Sequence, residues 1–370
     1  MRRFGAMLRA APEHPANMRL SGLRGVGKTV LLKEFERLAR EAGWEVGAAE
    51  MSAGHNREDL LVREIVRIAD GVIARLSRAE RIKRAVGKVT RVIGTVGVTY
   101  EDVKVTYEPG TPPSTSGLGE ALLHAVKVAV ERGHQGLMLL LDEAQVIRDE
   151  RDRTGEHPLS TLISAVVALQ RQEVALGLVM CGLPTLTGNL LRARSYTERM
   201  FRGEEIGRLE PDAAAKALTE PLKHTDVHAT QELVHAVVEE VEGYPYFIQL
   251  WGAELWDSAV AADVTSLNMP LLKATTAEIH RRLDIDFYEP RVSTLTPAEQ
   301  DVLVASASCS YPPLHTEHLN EKMDKTPGNI NVLLGRLVEA GVLYRIRKGQ
   351  YAYTAPKFRD YLLRRRPALY

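Results

Sequence analysis

The chain has 370 residues, enough for two or three domains of ordinary size. Apolar residues make up 45% and charged residues 26%, which supplies material for sizeable cores and excludes global disorder. Lysine plus arginine and aspartate plus glutamate each total 48, which excludes a uniformly basic protein but leaves room for a local basic face.

Residues 18–21 form a strand candidate that runs directly into a glycine-rich loop. Residues 30–42 then read as a helix, with Leu31, Leu32, Phe35 and Leu38 at helical spacing and Gly43 as its stop. A strand is expected over 44–49 and a helix over 56–76, the latter with Leu60, Leu61, Ile65 and Ile68 on one face. Residues 75–91 are strongly basic and offer a candidate DNA-facing surface, although charge runs are commonly solvated faces. Alternation over 96–107 predicts a hairpin, and the proline- and glycine-rich stretch 109–117 a loop.

A helix follows over 118–132, then a continuous apolar run at 136–141, suited to a buried central strand. A helix over 159–170 and a buried strand over 176–181 complete an alternation that argues for a parallel α/β sheet up to about residue 209. Beyond Glu210-Pro211 only helices are expected, at 213–222, 230–241, 245–260 and 271–287, with Glu289-Pro290 and Ser293-Thr294 reading as a linker. Residues 296–370 read as three helices and a hairpin. The first is announced by Thr296-Pro297-Ala298-Glu299, and the hairpin turns at Lys348-Gly349 between 342–347 and 350–354.

The strongest chemical signal is Gly22-Leu23-Arg24-Gly25-Val26-Gly27-Lys28-Thr29, a G-x-x-x-x-G-K-[ST] loop between strand and helix. Glycines let the backbone wrap closely, so that amide N–H groups can point at phosphate oxygens, and the following helix, entered through Val30, adds its positive end. Lys28 is expected to reach the outer phosphates of ATP, and the Thr29 hydroxyl to sit on Mg²⁺. The second signal is Leu137-Met138-Leu139-Leu140-Leu141-Asp142-Glu143, a buried strand ending in two acids. Asp142 is expected to hold Mg²⁺, largely through its water shell, and Glu143 to polarise the attacking water.

With these motifs on the page, the chain resembles the AAA+-type P-loop ATPases. More narrowly, it resembles the group related to the origin-recognition and replication-licensing ATPases and to the STAND signalling ATPases. The resemblance rests on the glycine loop, on Leu-Leu-Asp-Glu-Ala-Gln at 140–145, on Tyr196-Thr197-Glu198-Arg199-Met200-Phe201 and on Gly243-Tyr244-Pro245-Tyr246-Phe247-Ile248. It implies an α/β P-loop NTPase fold, a parallel sheet flanked by helices, followed by an α-helical lid and a C-terminal winged-helix domain. The corresponding divisions are 1–209 for the ATPase core, 210–290 for the lid and 291–370 for the winged helix.

The resemblance further implies ATP/ADP and Mg²⁺ as ligands, ATP hydrolysis, which the departures from the family's sensor pattern given below make slow, and Arg199 as an arginine finger acting in trans in a homo-oligomer, with Arg194 and Arg202 as rivals. Pro245 is implied to pack near the adenine. The sensor position at the end of the fourth core strand, Val179–Thr185 in this chain, carries no asparagine, and Thr185 is the nearest polar group. No sensor arginine follows Gly243-Tyr244-Pro245 immediately, and residues 1–16 show no clear copy of the family's upstream base-contacting segment.

Duplex DNA is the expected partner of the winged helix. Asn329, Asn331 and Arg336 would lie on a recognition helix over 329–340, Arg345, Arg347 and Lys348 on the wing, and Lys357, Arg359, Arg364, Arg365 and Arg366 in the tail. The competing reading is a STAND-like signalling or defence switch with an unidentified protein trigger. Cys181 and Cys309 imply neither a disulfide framework nor a zinc site, and the pairs His224/His228 and His315/His318 lack further ligands. No apolar run is long enough to cross a bilayer and no apolar leader follows the basic start, so a cytoplasmic location without membrane contact is expected.

Overall fold

The structure is a computed structural model and describes residues 1–87, 115–150 and 155–365. The expected hairpin over 96–107, most of the 109–117 loop and Arg366 lie outside the described residues. The chain divides into two compact units. The first comprises residues 1–21, 29–182 and 186–204, and the second residues 22–28, 183–185 and 205–370.

The first unit opens with α1 (Arg2–Ala10), which the sequence reading left without structure. It is amphipathic: Phe4 and Leu8 are buried, and Phe4 stacks on Phe35 at 4.1 Å. β1 (Asn17–Gly22) leads through the glycine loop to α2 (Lys28–Glu41), and then come β2 (Glu45–Glu50), α3 (Glu58–Gly87) and α4 (Thr115–Glu131). β3 (Leu137–Asp142), α5 (Pro158–Gln170), β4 (Leu176–Gly182), α6 (Thr185–Ala193), α7 (Thr197–Met200) and β5 (Arg202–Ile206) complete the alternation.

The five strands lie in the order β2-β3-β4-β1-β5, and the pairs β2–β3, β3–β4 and β4–β1 are parallel. Every residue of β3 and of β4 is buried, as an apolar strand covered on both faces requires. Each fully buried leucine in them contributes roughly 1.5–3 kcal/mol of transfer free energy. β5 was not expected. Its sequence, Arg-Gly-Glu-Glu-Ile, is polar because it lies at the sheet edge with much of its surface exposed.

In the second unit, α8 (Pro211–Thr219), α9 (Gln231–Val241), α10 (Pro245–Ala261) and α11 (Met269–Arg282) follow the expected helices closely. Thr230 and Asn268 cap α9 and α11 through their side-chain oxygens. Two expectations fail here. The region is not free of strands, since β6 (His228–Ala229) pairs in parallel with β7 (Ser266–Leu267); two residues are too few to leave an alternating pattern. Nor is Glu289-Pro290 a linker. A wide helical turn over Leu283–Tyr288 carries α11 into α12 (Glu289–Val292), with Pro290 in the first turn of α12, where its missing N–H costs least.

The remainder is α13 (Pro297–Ala307), β8 (Leu314–His315), α14 (Thr316–Lys322), α15 (Pro327–Glu339), β9 (Leu343–Arg347), β10 (Gln350–Tyr353) and α16 (Phe358–Arg365). β8-β10-β9 form an antiparallel sheet, and the expected capping box of Thr296 and Glu299 is present at α13. One apolar core runs through the unit, from Val26 of the glycine loop through Trp251 and Phe287 to Leu334 and Phe358. Tyr288, 1% exposed, anchors it by donating its hydroxyl hydrogen to the Pro356 carbonyl at 2.9 Å.

Candidate functional site

The glycine loop is shaped by close approach. A Cβ on Gly22 would lie 2.3 Å from the Ile206 carbonyl oxygen, so only glycine fits there. Gly27 has φ +85°, in the left-handed region that glycine adopts without strain, and faces open space. α2 begins at the next residue, so the loop delivers its amides to a helix N-terminus.

Lys28 is 6% exposed, and its ammonium donates to the Leu23 carbonyl at 2.9 Å. The loop is also gripped from two other segments of the second unit. The Tyr246 N–H, in the first turn of α10, donates to the Gly25 carbonyl at 3.1 Å, and the Arg24 N–H donates to the Thr354 carbonyl at 3.0 Å.

In the first unit, the Thr29 hydroxyl donates to Asp142 Oδ2 at 2.6 Å. Asp142 ends β3 and is 7% exposed; its other oxygen accepts from the Glu143 N–H at 2.8 Å. Glu143 itself holds a left-handed backbone, φ +49° and ψ +29°, at a cost of about 1 kcal/mol for a residue with a Cβ. Gln145 Nε2 donates to Glu143 Oε2 at 2.5 Å and so orients the carboxylate.

The sequence reading gave Gln145 no role. It also passed over Asn189 in α6, which is 5% exposed and donates to the Gln145 carbonyl at 2.9 Å. Periodicity cannot single out a helical asparagine; its burial is the signal. Thr185, the expected nearest polar group, is the first residue of α6.

Pro245 is the first residue of α10, after Gly243 and Tyr244. Gly243 has φ +72°, and a Cβ there would lie 2.3 Å from the Leu209 carbonyl oxygen, so the glycine of this motif is imposed by packing. Arg199 is exposed on α7 and forms no ion pair among the described residues. The nearby Glu204 pairs with Arg3 at 2.8 Å and with Arg202, one of the rivals, at 3.4 Å.

The basic residues near the C-terminus separate into two sets. Asn329, Asn331 and Arg336 are exposed along α15, and Arg345, Arg347 and Lys348 on the β9–β10 hairpin. The described tail residues, by contrast, are engaged internally. Arg359 donates to the carbonyls of Ala307 and Cys309, Arg364 pairs with Asp284 at 2.6 Å, and Arg365 pairs with Glu289 at 2.8 Å. Lys357 binds Glu240, whose carboxyl is lowered to about 2, first by His280 and then by Lys357. Charge in a sequence does not reveal such partners within the fold. Arg75 of the basic 75–91 segment is likewise paired, with Glu45 at 2.7 Å.

Residues 285–362 match a family described as Domain of unknown function (DUF8462). The chain is 24% identical over 250 residues to an uncharacterized HTH-type transcriptional regulator of Methanocaldococcus jannaschii, a match covering 63% of this chain and 60% of that protein. Among solved structures it is similar to a Walker-type ATPase of Pyrococcus abyssi, with a TM-score of 0.58 and 17% identity over 98% of this chain and 95% of the other. It is also similar to the ADP form of the ORC2 protein of Aeropyrum pernix, with a TM-score of 0.55 and 14% identity over 99% and 92% of the two chains. The parallel sheet flanked by helices is thus the fold of P-loop ATPases.

Proposed function

We propose that this chain binds and hydrolyses ATP, and that its nucleotide state controls assembly on, or regulation of, duplex DNA. The observation that carries the first part is the Thr29–Asp142 hydrogen bond, which joins the last residue of the glycine loop to the acid ending the central strand. A hydroxyl and a carboxylate at 2.6 Å are an all-oxygen donor pair suited to Mg²⁺. The open space at Gly27 and the buried ammonium of Lys28 suit a phosphate chain.

In this reading the residues 22–30 cradle the nucleotide, with Lys28 countering the charge of its outer phosphates, while Thr29 and Asp142 hold the metal. Bound Mg²⁺ supplies positive charge to phosphate oxygens during transfer. Glu143, aimed by Gln145, accepts the proton of the attacking water. Pro245 borders the base, and Arg199, exposed and unpaired among the described residues, acts on the nucleotide of a neighbouring copy.

We further assign residues 1–209 to the ATPase core, 210–290 to a helical lid and 291–370 to a winged-helix domain. The element order of the last part and the exposed polar face of α15 support that assignment. The regulator name of the M. jannaschii relative agrees with a DNA partner. No helix of the described residues is long and apolar enough to cross a membrane, and we place the protein in the cytoplasm.

A second reading, a slow switch with a protein trigger, draws on the hydrogen bonds from Tyr246 and to Thr354 that hold the glycine loop. Calorimetry with Mg-ATP tests the nucleotide reading: binding that is lost in Lys28→Ala supports it, and equal binding by both proteins overturns it.

A further inference from the structure

The exposed face of α15 is built from residues that neither packing nor helix propensity calls for. Ile330, Leu333, Leu334 and Leu337 are buried on one side of the helix. On the other side Gly328, Asn329, Asn331, Val332, Gly335 and Arg336 are exposed. A solvated helix face is best filled with alanine, lysine, glutamate or glutamine, whereas asparagine, valine and above all glycine weaken it. Gly335 has no left-handed backbone, and a Cβ there would meet nothing within 4 Å, so neither conformation nor crowding demands a glycine. Val332 is 55% exposed. Something outside the chain accounts for this choice of residues.

Helical spacing sorts the face. Gly328, Val332 and Gly335 lie above one another along its centre, with Asn331 on one border and Asn329 and Arg336 on the other. The centre is a shallow apolar strip, free of side chains at the two glycines and flanked by amides. The side-chain amides of Asn329 and Asn331 form no hydrogen bond among the described residues. Such an amide offers an acceptor and a donor side by side, which match the N6 amino group and N7 of adenine in the major groove, while a valine methyl suits the C5 methyl of thymine. Residues 340–350, which follow directly, carry Arg345, Arg347 and Lys348 and no acid, the charge that phosphates attract.

We propose that α15 reads A·T base pairs in the major groove. Asn329 and Asn331 take adenine, Val332 takes the thymine methyl, and Gly335 lets the helix seat close to the base edges. The inference rests on the duplex-DNA reading above and gives it a sequence class. The three side chains lie in the first two turns of α15, the part of a recognition helix that reaches bases; Arg336, two turns beyond Asn329, is left to the phosphates.

The test is fluorescence anisotropy of the full chain, with Mg-ATP present, on short labelled duplexes of alternating A·T, G·C or inosine·C pairs at one low salt concentration. The inosine·C duplex has the minor groove of A·T and the major groove of G·C. Two modified A·T duplexes carry 7-deazaadenine, which lacks N7, or uracil, which lacks the methyl. The expected result is A·T binding about 10-fold or more tighter than G·C and inosine·C, with a loss of about 10-fold on 7-deazaadenine and about threefold on uracil. Val332→Ala should remove the response to uracil, and the double variant Asn329→Ala/Asn331→Ala the response to 7-deazaadenine. Gly335→Leu fills open space and strengthens the helix, so it should keep the circular dichroism of wild type and lose the A·T preference. Equal affinity for all duplexes, inosine·C bound as well as A·T, or a preference unmoved by these variants overturns the base reading and leaves duplex binding intact. No binding of any duplex, as a protein-docking face would give, overturns both.

Discussion

Gly22 and Gly27 sit in the same loop for different physical reasons, and alanine at each should separate stability from binding. At Gly22 the added Cβ would lie 2.3 Å from a backbone oxygen, roughly 1 Å inside ordinary carbon–oxygen contact, and 3.0 Å from a Val26 methyl. Strand β5 cannot yield as a side-chain tip can, so overpacking should cost about 1–3 kcal/mol. At Gly27 nothing lies within 4 Å, and the only penalty is the left-handed backbone, about 1 kcal/mol. Urea unfolding should therefore rank Gly22→Ala as the less stable variant. Titration with Mg-ATP should show that Gly27→Ala, the milder lesion to the fold, still loses at least about tenfold in affinity, because its methyl enters the space assigned to phosphate. Wild-type ATP affinity in Gly27→Ala would refute the reasoning, whatever the unfolding data show.

Other substitutions probe the remaining assignments. Glu143→Gln should keep ATP binding and lower kcat by about 100-fold or more, since the amide retains the shape but cannot accept a proton; single-turnover hydrolysis checks this. Glu240 falls from its ordinary 4.5 to about 2 in the folded protein, so its contribution to stability is present above pH 4.5 and is lost as pH falls toward 2. With the side chain 45% exposed, that contribution is discounted to about 1 kcal/mol. Glu240→Gln should show that deficit in urea unfolding at pH 7 and none near pH 2. Arg345→Ala and Lys348→Ala should each weaken duplex binding and lower the slope of log affinity against log salt by about 1, as single lost phosphate contacts do. Unchanged slopes in a fluorescence titration would remove the hairpin from the DNA interface.

The helices and buried strands were legible because burial imposes periods that a sequence displays: the first five residues of β3 are a continuous apolar run, closed by Asp142. β5 was not legible, since an edge strand with two glutamates has no such run. α1 was passed over although Phe4 and Leu8 lie on one face, because nine residues beside a terminus give a weak pattern. The Glu289-Pro290 boundary failed for a different reason. Proline ends helices from the interior but is well tolerated in a first turn, and composition cannot tell those positions apart.

The glycine loop and the acidic pair could be read from spacing alone. Gln145 and Asn189 could not, because their interest lies in burial and in partners gained through the fold. The same limit applied to Arg359, Arg364 and Arg365, whose charges are spent within the fold.

Steady-state ATP hydrolysis by the wild type, with and without duplex DNA and with Glu143→Gln as the blank, tests the central assignment most directly. The account predicts a rate above the blank that rises when duplex DNA is added. A rate equal to the blank under both conditions would contradict it.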